Sequence, residues 1–144
     1  MNRSSMRPRT LFEVSRRAIS GEQAFDPSLC EFLDEFYGQP YMREISMARE
    51  PLLIDDIKDA YLSAVAEYLA AVYDFDAPGW TEDHGVPLRR AFFANGGLES
   101  LKALLTVESP MAFRKRLLFV GRDALDRARR HTQPDVDGQA SFAP

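Results

Sequence analysis

The sequence predicts an all-α fold, an irregular single-domain bundle of about six to eight short helices. Three observations carry this expectation. Apolar residues recur at three- and four-residue spacing in several stretches, helix-start residues stand just ahead of those stretches, and no run alternates apolar with polar residues as a half-buried strand would. With 144 residues, 45% hydrophobic and 28% charged, the chain is long enough for one domain with a substantial core. No repeat recurs at a fixed period, and the helices are too short and unequal for a regular four-helix bundle.

Thr10-Leu11-Phe12-Glu13 fits a reciprocal capping box, in which the Thr10 hydroxyl accepts from the Glu13 amide while the Glu13 carboxylate reaches back. The helix it opens should run to about Ser20, with Gly21 as a left-handed stop. Asp26-Pro27 reads as N-cap and first helical residue of a second helix. Leu29, Phe32, Leu33, Phe36 and Tyr37 then share a face, Glu31, Asp34 and Glu35 point outward, and Gly38 closes the helix. A shorter helix near residues 40–49 sets Tyr41, Ile45 and Ala48 on one side before Pro51 ends it.

The clearest helix spans Asp55 to about Tyr73. Ile57, Tyr61, Val65, Tyr68 and Val72 form one apolar stripe, and Leu62, Ala66, Leu69 and Tyr73 form the adjacent one. Asp59, Ser63 and Glu67 are left to the remaining face. So broad an apolar circumference belongs in the middle of a bundle, while Asp55 and Asp56 complement the positive end of the helix dipole. From Asp74 to about Pro87 the periodicity dissolves into a breaker-rich loop that holds the single tryptophan, Trp80.

A short helix including Phe92 and Phe93 is expected after Pro87, then a turn at Asn95-Gly96-Gly97 and a helix marked by Leu98, Leu101, Leu104 and Leu105. Ser109-Pro110 reads as N-cap and first residue of another helix. Leu117–Val120 suits a short extended crossing, and a last helix near Arg122–Arg130 would be anchored by Leu125, with Ala128 beside it. The expected organisation is thus a flexible basic N-terminus over 1–9, a helical domain over 10–130 and a flexible tail over 131–144.

Charge is sharply sorted along the chain. Residues 1–20 hold five Arg against Glu13, residues 21–84 hold fifteen acids against three bases, and residues 85–144 hold ten bases against six acids. The three blocks carry +4, −12 and +4 within a net charge of −4. Such asymmetry reports on partners more than on fold. The longest apolar runs, such as Leu117–Val120, fall far short of the roughly 20 residues that span a bilayer. A lone cysteine, Cys30, has no internal disulfide partner, and no secretory core follows Met1. The Arg-rich start is weak evidence for an organelle transit peptide, so no membrane and a cytoplasmic location are expected.

Catalytic chemistry finds little to work with. His84 and His131 stand apart from Cys30 and from each other, so no metal-ligand spacing forms. Serine lacks a nucleophile elbow, and Gly96-Gly97 lacks the flanks of a phosphate loop. Neither a catalytic residue, a cofactor nor a metal is expected. Two acidic groups, Glu31, Asp34 and Glu35 and then Asp55, Asp56 and Asp59, could face a basic partner, with Trp80 and Tyr41 supplying aromatic anchors. The basic triplet Arg114, Lys115 and Arg116 is a further contact candidate. It could equally face the acids of residues 21–84 within the bundle.

Phe32-Leu33-Asp34-Glu35-Phe36-Tyr37, then Asp59-Ala60-Tyr61-Leu62 through Glu67-Tyr68-Leu69-Ala70, then Trp80, carry a resemblance that the block from Glu108-Ser109-Pro110 through Ala112-Phe113-Arg114-Lys115-Arg116 and Leu118-Phe119-Val120 to Leu125-Asp126-Arg127-Ala128 makes specific. Over residues 25–130 the chain resembles a family of small bacterial proteins whose genes neighbour those of nucleotidyltransferase-like toxins. The resemblance implies an antitoxin-like partner that covers the basic groove of such a toxin. Some members carry a DNA-binding domain in front, and the stretch before residue 25 is too short for one. Two alternatives remain at this stage: a nucleic-acid-binding accessory using Arg114–Arg116 and Arg127–Arg130, and a small helical enzyme using the Trp80–His84 loop.

Overall fold

The computed structural model describes residues 6–84, 87–94 and 99–127. Along them run α1 (Leu11–Ser20), α2 (Phe25–Gly38), a 3-10 turn (Pro40–Met42) leading into α3 (Arg43–Ser46), α4 (Asp56–Val72), α5 (Trp80–His84), β1 (Phe92–Phe93), α6 (Glu99–Glu108), α7 (Met111–Arg114) and β2 (Leu118–Phe119). The protein is mainly helical, as expected, with one addition: β1 and β2 pair in parallel, Phe92 beside Leu118 and Phe93 beside Phe119. No helix among the described residues is long and apolar enough to cross a membrane.

The centre is α4. Ala60, Leu62, Ala64, Val65 and Ala66 are fully enclosed, and the alanines let α5 and α7 approach its backbone closely. Asp55 is its N-cap and accepts from the Lys58 amide at 2.8 Å. The face assigned to Asp59, Ser63 and Glu67 is not solvated. Asp59 and Ser63 are buried, the Asp59 carboxylate accepting from the Ile54 amide at 2.7 Å, and Glu67 is covered by basic side chains of the later chain. Neighbours cover the middle of α4 on this face as well, while Ile57 and Val72 at its ends, expected in an apolar stripe, are exposed.

α1 matches its expected bounds: Thr10 Oγ1 accepts from the Glu13 amide at 3.0 Å and Gly21 is left-handed with φ 82°. The reciprocal half of the capping box is absent, because the Glu13 carboxylate instead holds Arg16 at 2.7 Å and Arg17 at 3.0 Å. Residues 6–9 are not detached from the domain. Pro8 is fully buried, Arg17 donates to the Met6 carbonyl, and Arg7 reaches Glu35 at 3.6 Å.

α2 begins two residues earlier than Asp26-Pro27 suggests, with Ala24 as N-cap, because burying Phe25 draws the first turn forward. Gly38 is its last helical residue and not a left-handed stop. The helix expected over 40–49 is broken into a 3-10 turn and a single α-turn. Arg43 takes the inward position there: its guanidinium lies 4.2 Å from the Tyr73 ring centre and donates to the Phe36 and Tyr37 carbonyls. Tyr41 and Ile45 are rolled outward as a result, Tyr41 to 95% exposure.

Four further expectations need correction. The loop after α4 contains α5, opened by Trp80. Phe92 and Phe93 are strand, because the Phe92 amide donates to the Leu117 carbonyl and the Ala94 amide to Phe119, with Phe93 and Phe119 stacked 4.9 Å apart. Ser109 does not cap α7; its hydroxyl donates to the Leu118 carbonyl and accepts from the Val120 amide, tying α6 to the extended crossing. Residues 122–125 form turns in place of a helix. Leu125 is nonetheless a buried anchor, and the Tyr37 hydroxyl donates to its carbonyl at 2.9 Å. The expected turn at 95–97 and the tail over 131–144 lie outside the described residues.

Candidate functional site

An open groove of about 850 Å³ lies between α2, the first turns of α4 and the segment around Leu125. Helical spacing builds one wall: Phe25, Leu29 and Leu33 recur every four residues on α2, with Asp26 and Cys30 alongside. The opposite wall is Ile57, Lys58 and Tyr61 of α4, and Phe92, Ala94, Ala124 and Leu125 complete the lining. The floor is therefore apolar and aromatic, while the carboxylates of Asp26, Asp55 and Asp56 stand at the mouth.

The rim charges differ in what they bind. Asp55 is engaged twice by Lys58, through the amide and through Nζ at 2.9 Å. Burial opposes its ionisation, but the Lys58 bonds and charge prevail and hold the carboxyl below the usual range. Asp26 and Asp56 are exposed and form no ion pair among the described residues. Tyr61, across from Asp26, has its phenol pushed up to about 12, first by burial and then by the charge of Asp26, so it stays neutral in the groove wall.

The candidates taken from the sequence scatter around this groove instead of forming one face. On α2, Asp34 is bound to Arg127 at 3.0 Å and Glu35 to Arg7, while Glu31 is half-buried. On α4, Asp59 points into the core, leaving Asp55 and Asp56 as the exposed pair. Trp80 is 7% exposed and its indole donates to the Met47 carbonyl at 2.9 Å, so it is a core anchor and not an available contact. His84 stacks edge-on against it; Nε2 donates to the Pro51 carbonyl and Nδ1 faces Glu50 at 3.3 Å. Together they clamp residues 47–51 onto α5, and neither lines the groove.

The basic triplet also divides. Arg116 is buried with its side chain 3% exposed, pairing with Glu67 at 2.8 Å and donating to the carbonyls of Ala112 and Thr81. Lys115 takes the other Glu67 oxygen at 2.8 Å. Two of the three bases thus face an acid of the middle block, and Arg114 forms no ion pair among the described residues. Among the described residues, no three His, Cys, Asp or Glu side chains gather as a metal ion would need.

Asp26, Phe25, Cys30, Ile57 and Tyr61 were not assigned to a site from the sequence. The helical spacing of Leu29 and Leu33 is legible in the sequence, but an apolar stripe alone does not tell a packed face from an open one, and Phe25 stands ahead of the expected helix start. Comparisons of the chain with family models, with curated proteins and with solved structures find no match.

Proposed function

We propose that this chain is a non-catalytic protein-binding module, antitoxin-like in role, that neutralises a nucleotidyltransferase-type toxin by covering its basic groove. The observation that carries the reading is the pairing of acid with an apolar-lined opening at one place: Asp26 and Asp56, which form no ion pair among the described residues, stand beside a groove lined by Phe25, Leu29, Ile57 and Tyr61. Such a surface fits a basic partner twice. The acidic excess of residues 21–84 would steer encounter, and apolar contact would slow release. The likeness of residues 108–128 to the small bacterial family described above supports the same reading.

A nucleic-acid role is less well supported, since Arg116 and Lys115 are committed to Glu67 and Arg127 to Asp34. Co-expression with the product of the neighbouring gene, where that gene encodes a nucleotidyltransferase-like protein, tests the proposal. Growth should be rescued from that product's toxicity and the two proteins should purify together. Recovery of this chain alone, without rescue, would end the antitoxin reading.

A further inference from the structure

We infer that the groove between α2 and the start of α4 is the seat of a basic amphipathic helix of a partner protein. One or two large apolar side chains of that helix enter the groove, and its Lys or Arg residues lie on the Asp26–Asp56 rim. The inference rests on the reading of this chain as a partner-binding module and adds a place and a direction to it. This chain supplies the socket, and the partner supplies the knob.

The lining selects this occupant. Phe25, Leu29, Leu33 and Leu125 are buried and apolar, so the enclosed part of the groove offers little beyond the Tyr61 phenol to orient a small polar ligand. All the carboxylates stand at the mouth, where they meet the flanks of an inserted segment and not its buried tip. A helix presenting apolar residues at i and i+4 with basic neighbours matches that division of apolar floor from acidic edge. Lys58, itself part of the lining, neutralises Asp55 and Arg127 is bound to Asp34, which leaves Asp26 and Asp56 as the rim acids without an ion pair among the described residues. A second copy offering the same surface would bring carboxylates against carboxylates, which disfavours a symmetric pairing through this groove.

Cys30 reports on occupancy, because it is the sole cysteine, half-buried, and part of the groove wall. In the full-length chain its alkylation by a maleimide should be measurable and should slow on adding a helical peptide of about 18 residues built from Leu and Lys. The same peptide with Glu in place of Lys should leave the rate unchanged. Ile57→Gln, at a groove position 41% exposed and so tolerant of change, should weaken the Lys peptide roughly tenfold. The double variant Asp26→Lys with Asp56→Lys should reverse the preference toward the Glu peptide.

Equal binding of both peptides, or binding that neither protects Cys30 nor responds to Ile57→Gln, would overturn the inference. A thiol inert in the isolated chain would give the groove to a segment of this same chain. Self-association abolished by Ile57→Gln would give it to a second copy. Either result also overturns it. If the neighbouring gene product co-purifies equally with all these variants, the partner-binding reading survives and the groove is excluded as its seat. Peptide capture at the groove without that co-purification supports the groove and removes the toxin assignment.

Discussion

Arg116 illustrates how much a single side chain can be redefined by its surroundings. In sequence it is one of three consecutive bases; in the fold it is sealed beneath α7, with Glu67 and two carbonyls as partners. Its Nε finds no partner among the described residues, so the buried charge leans on an ionised Glu67 and the two carbonyls. Burial resists that ionisation, but the bonds and charges of Lys115 and Arg116 prevail and keep the Glu67 carboxyl below its usual range. Removing one member strands a charge. Arg116→Ala or Glu67→Gln should therefore each lower stability by roughly 2–4 kcal/mol, and the double variant Arg116→Met with Glu67→Leu should recover much of the loss. Urea unfolding of the three variants checks this; single effects that simply add in the double variant would show that the pair is not coupled. The triplet was visible in the sequence, but not which member turned inward. Left-handed Leu117, at φ 64°, swings the chain from α7 into β2, and a single-turn helix offers no periodicity from which to read that bend.

Among the elements, α4 was the most legible because its length and two apolar stripes leave no alternative packing. Its end was less so. The chain leaves through a Schellman-type turn in which the Phe75 amide donates to the Ala70 carbonyl and Asp74 occupies the left-handed position at φ 62°. Glycine is the residue that holds such a position without strain. Asp74→Gly should raise stability by about 0.5–1 kcal/mol, whereas Asp74→Ala should not raise it, as read from paired urea midpoints. An equal rise in both would point away from backbone strain and toward relief of acidic repulsion. The misread elements were all short. Phe92 and Phe93 carry no local preference strong enough to choose helix or strand, and their pairing with Leu118 and Phe119 is a contact across more than twenty residues.

Across the whole molecule the three charge blocks fold partly onto one another. Arg7 meets Glu35, Arg127 meets Asp34, and Lys115 and Arg116 meet Glu67, so both basic ends lean on the acidic middle. This arrangement makes stability depend on pH in a direction that can be worked out. The Arg16 hydrogen bond, with help from Arg17 and against the effect of burial, holds Glu13 at about 2, below its ordinary 4.5. A depressed carboxyl contributes stability above 4.5 that is lost as pH falls toward 2; Glu67, also depressed, acts in the same sense. Asp59 works in the other direction: burial raises it despite the Ile54 amide, so its contribution is present below its ordinary 3.8 and fades as pH rises through the folded value. Urea midpoints should thus fall between pH 5 and 2. Glu13→Gln should flatten that fall, and Asp59→Asn should steepen it. A Glu13→Gln profile parallel to the unaltered protein would refute the assignment.

Composition, helix spacing and capping residues already contained the helical class, the bounds of α1, the central place of α4, an extended crossing after Leu117 and the sorting of charge into blocks. These follow from interactions between residues a few positions apart, which any reader of the chain can enumerate. What could not be read was which charges are consumed within the fold. Asp34, Glu35, Glu67 and Arg116 are, while Asp26 and Asp56 form no ion pair among the described residues. That outcome, and the groove beside it, depends on contacts between segments thirty to ninety residues apart, where the geometry of packing selects among many equally plausible pairings.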